Sequence, residues 1–170
     1  MDSKKKSIVS LEEVLAYTNP NVVYSFIDGF DVSYEEADII FNETKKWLWA
    51  CYYRKKDPRY ADVSMSVNES ILIIDMMWHT FILFTTPYYD FCHKYFSEFI
   101  GHKPTTYRDK QAMQTALQKD RARVIKRERD KRKKLLSYLY DTLGEATIRR
   151  WYIEYGSKYT PEAILDIRKK

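Results

Sequence analysis

Glycine is scarce in this chain, four residues in 170, and that scarcity excludes a good deal. Glycine supplies the left-handed backbone of tight turns, so a many-hairpinned barrel or sandwich lacks the residues for its corners. Neither GxGxxG nor GxxxxGK[ST] occurs, so no dinucleotide or P-loop cofactor cradle is encoded. Cys51 and Cys92 are the only cysteines and form no CxxC pair, which excludes a disulfide framework and zinc-knuckle spacing. Long apolar runs are missing as well. The longest, Ile71 to Thr85, is interrupted by Asp75 and His79 and falls short of the roughly 20 residues that span a bilayer. The first residues, Met1 to Lys6, are positive, but only Ile8-Val9 follows them, too short for the apolar part of a secretory signal. The expectation is a cytoplasmic protein with reduced thiols and no membrane association.

What is present points to helices. Hydrophobic residues make up 45% of the chain and aromatics 16%, enough for a real core, and 170 residues fit a single domain spanning 1–170. Ser10-Leu-Glu-Glu13 and Ser33-Tyr-Glu-Glu36 have the capping-box form. Asn19-Pro20, Thr86-Pro87 and Thr160-Pro161 each read as an N-cap followed by a first-turn proline. These signals predict helices from about 10 to 17, 20 to 29, 34 to 54, 69 to 84, 86 to 100 and 161 onward. Gly101 and Gly156 are read as closing residues, and Leu143-Gly144 as a break before a helix through Trp151 and Tyr155. Tyr107 to Tyr140, without Gly or Pro, predicts one long helix or two with a slight break. Residues 57–70 read as a connecting loop with a brief extended piece near 63–67. The fold expected is all-α, one compact domain of six to eight helices, with 69–84 and 86–100 as a central antiparallel pair.

The formal charge of +5 is unevenly placed. Between Lys119 and Lys134, ten Lys or Arg stand against Asp120, Glu128 and Asp130, so the remainder of the chain is slightly acidic. This long basic helix is expected to project, with Arg121, Arg123, Lys126, Arg127 and Arg129 meeting an acidic protein partner. The alternative is nucleic acid, bound through its phosphates. Against that, the segment holds no aromatic residue on which a base could stack.

Residue chemistry concentrates in Ile71 to Pro104, which holds His79, His93, His102 and Cys92. On a helix Asp75 and His79 are neighbours, four residues apart. A carboxylate can fix an imidazole tautomer and leave the other nitrogen as ligand or base. The same spacing also suits a buried histidine with its hydrogen-bond partner. If the turn at Gly101 folds back, His102 joins them, and Asp75, His79 and His102 become candidate catalytic residues or ligands of a divalent metal. Cys92 falls on the inward face, where an inert thiol is expected, and His93 falls on the outward face. The aromatic series from Trp47 to Phe99 reads as core.

The segment Ile74-Asp-Met-Met-Trp-His-Thr-Phe-Ile-Leu-Phe84, followed by Tyr89, Phe91-Cys92, Tyr95-Phe96, Phe99-Ile100 and His102-Lys-Pro104, looks like a group of small uncharacterised bacterial proteins. That likeness extends to Ser33-Tyr-Glu-Glu-Ala37, Lys45-Lys-Trp-Leu-Trp49, Thr142-Leu-Gly144 and Trp151, and so covers most of the chain. More distantly, Asp75-Met-Met-Trp-His79 is similar to the Asp-x-Met-Trp-His element of plant and fungal glycine-rich domain proteins. There the element reads Trp-His-x-His. Phe81 stands where that second histidine would be, so a metal site resting on the pair would be damaged or differently made here. The resemblance brings no activity with it and implies that Trp78 and His79 belong to a shared fold element. Three functions stay open: a bacterial accessory protein engaging an acidic partner, a small metal-dependent or acid–base enzyme, and a nucleic-acid-binding protein.

Overall fold

Among the described residues six α-helices start where a short polar side chain accepts from unpaired backbone N–H groups, whereas the helix Thr85–Phe96 begins after Phe84 and not at Thr86-Pro87. In the computed structural model, which describes residues 8–169, Ser10 opens α1 (Leu11–Leu15) with a complete capping box. Asn19 with Pro20 opens α2 (Pro20–Gly29), and Ser33 opens α3 (Tyr34–Tyr53). Glu36 does not close a box there, because its carboxylate is taken by Lys158 (2.8 Å) and the Tyr159 hydroxyl. The chain continues through two 3₁₀ turns, Pro58–Tyr60 and Glu69–Ile71, into α4 (Leu72–Leu83) and α5 (Thr85–Phe96). Helices α6 (Tyr107–Lys119) and α7 (Arg121–Leu143) follow, then α8 (Glu145–Arg149), a π-helical stretch Arg150–Tyr155, α9 (Gly156–Lys158) and α10 (Pro161–Ile167). The stretch α8–π–α9 is one uninterrupted rod. Among the described residues there is no strand. One isolated antiparallel bridge, Phe30 with Arg168, ties the C-terminal end to the α2–α3 link. The fold is all-α.

Helix α3 is the centre. It buries Ala37, Ile40, Phe41, Trp47, Leu48 and Ala50 and packs against α1, α2, α4 and α7. The Phe41 ring meets Phe81 of α4 edge to face at 5.1 Å, and Phe81 meets Tyr88 of α5 the same way at 5.0 Å. The Tyr138 hydroxyl of α7 donates to the Ala50 carbonyl at 2.7 Å, anchoring the end of the long helix. Most of the aromatic series is core as expected, although Tyr89 and Phe99 are about half exposed.

Several boundaries differ from the sequence reading, each for a physical reason. Helices α4 and α5 are not an antiparallel pair. Phe84 alone joins them and the chain turns by 105°, whereas a full reversal needs a longer loop. Helix α5 ends at Phe96, with Ser97 in the left-handed conformation (φ 57°), so Gly101 does not close it. Beyond Ser97 the Ile100 carbonyl accepts from the Tyr88 hydroxyl at 2.6 Å, which holds the chain off the helical path. Gly156 has helical dihedrals (φ −58°), and the rod runs on through it. Asp120 divides the 107–140 stretch by capping α7 from its side chain. Residues 63–67 form no strand, although Val63 is buried. Helix α6 buries no residue, and in the first half of α7 only Val124 is buried, so this basic stretch is exposed to solvent along most of its length. No helix among the described residues is long and apolar enough to cross a membrane.

Among the described residues one lysine is buried in the core. Lys45, 2% exposed, donates from Nζ to the carbonyls of Leu15 (2.8 Å) and Tyr17, closing the end of α1. Burial pushes its ammonium down to about 8, against a smaller opposing pull from Asp38. Between pH 8 and its unfolded value near 10.4, the unfolded chain therefore binds more protons at this site, and stability gains as pH rises. Burial raises Cys51 and Tyr138 above their ordinary values, which works in the opposite direction at higher pH. Comparison with a Lys45→Met variant isolates the lysine. In denaturant titrations the stability difference should shift toward the wild type by about 2 kcal/mol from pH 8 to pH 10. A flat difference would refute the shifted lysine.

Candidate metal centre

Asp75 sits in the first turn of α4 and His79 one turn later, on the same face. His102 lies in the segment after α5 that the Tyr88–Ile100 hydrogen bond turns back toward α4. The two carboxylate oxygens of Asp75 divide between the two imidazoles: Oδ1 is 2.9 Å from His102 Nε2, and Oδ2 is 3.7 Å from His79 Nδ1. The histidine rings approach to 4.4 Å between centroids. One ligand atom from each of the three residues lies within 4.8 Å of the others. Ligands at about 2.0–2.1 Å from a tetrahedral ion stand roughly 3.4 Å apart, so small side-chain adjustments suffice to enclose one.

Neighbouring residues orient the trio. The Trp78 ring packs edge-on against His102 at 4.5 Å. Its indole N–H donates to the Tyr88 hydroxyl at 2.8 Å, and that hydroxyl in turn donates to Ile100. Burial holds the Tyr88 phenol well above its ordinary range, so it stays a donor. The chain Trp78–Tyr88–Ile100 thus fixes the loop that presents His102.

The site is reachable. The His79 side chain is 47% exposed, against 13% for Asp75 and 16% for His102. All three line a cleft of about 580 Å³ between the end of α3, the 65–67 loop and the 100–105 segment. Arg54 holds one wall by donating to the Val63 carbonyl at 2.6 Å.

Of the residues singled out from sequence, Asp75, His79 and His102 come together. Cys92 is fully buried and its thiol is raised by burial, so it stays inert in the core beneath Ile100. His93 is exposed and stacks on Tyr89 at 4.1 Å, away from the trio. The sequence reading missed Cys51, Arg54, Lys55 and Lys103 on the cleft wall. Burial pushes the Cys51 thiol up to about 12, which works against the thiolate there. Trp47, Cys51 and Arg54 recur at helical spacing along α3, and Lys103 adjoins His102. Those spacings carried the signal, but nothing local shows that the end of α3 faces the 100–105 segment.

The basic residues divide among surfaces. Arg123, Lys126 and Arg127 line a groove of about 330 Å³ with Asp130, Lys131 and Lys134 of the same helix and with Asp62 and Ser64. Arg129 faces a different hollow, beside Arg132, Leu136 and Tyr140, and Arg121 lines neither.

Residues 26–163 match the family model described as UCP032817-like, and the chain belongs to that family. No curated protein and no solved structure matches the chain.

Proposed function

We propose that this member of the UCP032817-like family binds a divalent transition-metal ion through Asp75, His79 and His102 and presents its open positions to the cleft. One observation carries the reading: two imidazoles and a carboxylate, drawn from α4 and a distant loop, offer ligand atoms within 4.8 Å of one another. Two imidazoles and one carboxylate suit zinc and its first-row neighbours. With only three protein ligands, at least one coordination position is left for water or substrate, the pattern of catalytic and not structural sites. A bound ion would act there as a Lewis acid and lower the pKa of bound water. Asp75 holds His102, and Trp78 restricts its ring. Without metal, the same carboxylate and His102 form an acid–base dyad. Calorimetric titration of the full chain with zinc separates the two. The metal reading expects one equivalent bound by the wild type and none by the His79→Ala/His102→Ala double variant. Equal uptake by both would refute it.

A second reading rests on α7. Arg127 and Lys131 pair with Glu128, and Lys134 pairs with Asp62, but Arg123 and Lys126 form no ion pair among the described residues. The groove remains net positive, five cations against Asp62 and Asp130, and this favours an acidic protein segment as partner. No aromatic side chain lines the groove, so it lacks a base-stacking platform. Reversing Arg123, Lys126 and Arg127 to Glu should abolish capture of an identified acidic partner while leaving zinc uptake unchanged. Retention of the partner overturns this reading, as does steeply salt-dependent RNA or DNA binding in its place.

A further inference from the structure

The cleft beside the metal ligands has a marked charge bias. Arg54, Lys55 and Lys103 line it, and Asp75 is its sole carboxylate. In the metal reading Asp75 is committed to the ion, so the cleft lining offers no further carboxylate to a cationic organic ligand. Lys103 is exposed, adjoins His102 in the chain and forms no ion pair among the described residues, with Asp109 at the start of α6 as an electrostatic partner. The Lys55 ammonium is partly neutralised by Glu98 at 2.7 Å. Arg54 spends Nη1 on Val63, and its buried Nε has no partner. The same cleft is lined by Met65, Val67, Trp78 and Pro104, which give apolar surface, and by Ser66 and Thr105, which add hydroxyls. At about 580 Å³ the cleft exceeds what a bare inorganic anion fills and falls within the range of small-molecule pockets.

We propose that the cleft takes a small phosphorylated molecule, its phosphate bridging the metal ion and Lys103 and its organic part lying against Trp78 and Pro104. The proposal rests on the metal reading above. Phosphate, not carboxylate, is the matching group, because a divalent ion flanked by lysine and arginine complements two negative charges. A monocarboxylate would leave most of that positive potential uncompensated.

The test is a calorimetric titration of inorganic phosphate into the full chain carrying one equivalent of zinc, with acetate as comparison. The expected result is saturable, single-site phosphate binding, weakened about tenfold by Lys103→Ala, and much weaker binding of acetate. Zinc uptake is measured first for both proteins and should be equal, since Lys103 is not a ligand. A chain that takes zinc but binds no phosphate overturns this proposal alone. Phosphate binding unchanged in Lys103→Ala, or acetate binding as tightly as phosphate, overturns it too. A chain that takes no zinc overturns the metal reading, and this proposal falls with it.

Discussion

Glu43→Ala is expected to destabilise the protein by about 3 kcal/mol, a large value for one substitution. Glu43 lies mid-α3 and is 1% exposed, yet its carboxylate is fully engaged. Oε1 accepts from Lys46 Nζ at 2.9 Å and from Arg150 Nη1 at 2.7 Å, and Oε2 accepts from the Trp151 indole N–H at 2.8 Å. Trp151 is itself fully buried, so its donor has no solvent to turn to once the carboxylate is gone. Lys46 and Arg150 are partly exposed, at 19% and 42% of their side chains, and regain water. That relief sets the figure at the lower end of the range for breaking a buried pair. The link also joins α3 to the π stretch, so its loss should loosen the C-terminal rod. Glu43→Gln keeps an acceptor for Trp151 and should cost clearly less. Denaturant melts of the two variants decide the matter, and equal losses would contradict this division of roles.

Asp75→Ala should weaken zinc binding by at least about 100-fold, the upper end of what removing a supporting residue alone does. Two effects act together. The substitution removes a ligand, and it frees both imidazoles, which the carboxylate now positions at 2.9 and 3.7 Å. Stability should fall less than in Glu43→Ala: His79 is half exposed and can hydrate, and only His102, 16% exposed, loses a close partner, at 2.9 Å, facing an open cleft. The prediction therefore separates function from architecture. If Asp75→Ala binds zinc as the wild type does, the trio is not a metal centre. If it destabilises the protein as much as Glu43→Ala does, the trio is a structural device. Calorimetry and a melt on the same sample distinguish these outcomes.

The two carboxylates also show how legible the chain was. Asp75 and His79 were readable because both sit on one helix, four residues apart, where periodicity alone makes them neighbours. Glu43 was invisible as a buried acid. It falls inside an amphipathic pattern, and its indole partner is 108 residues away. Lys45 was equally hidden, since nothing nearby marks a lysine that will cap a helix 28 to 30 residues earlier. Misplaced boundaries have the same origin. Gly101 carried the sequence signal of a helix end, but the Tyr88–Ile100 bond ended the helix at Phe96.

By itself the sequence determined the helical class, most helix starts, the inert placement of Cys92, the outward His93 and the basic stretch of α7. These follow from contacts within about four residues, where capping, periodicity and side-chain type decide. Only the tertiary structure decided that α3 is the hub, that α4 and α5 meet at a bend, and that His102 returns to a carboxylate 27 residues away. Those outcomes depend on how whole faces pack and where the chain must turn to bury them. No local pattern encodes that closure.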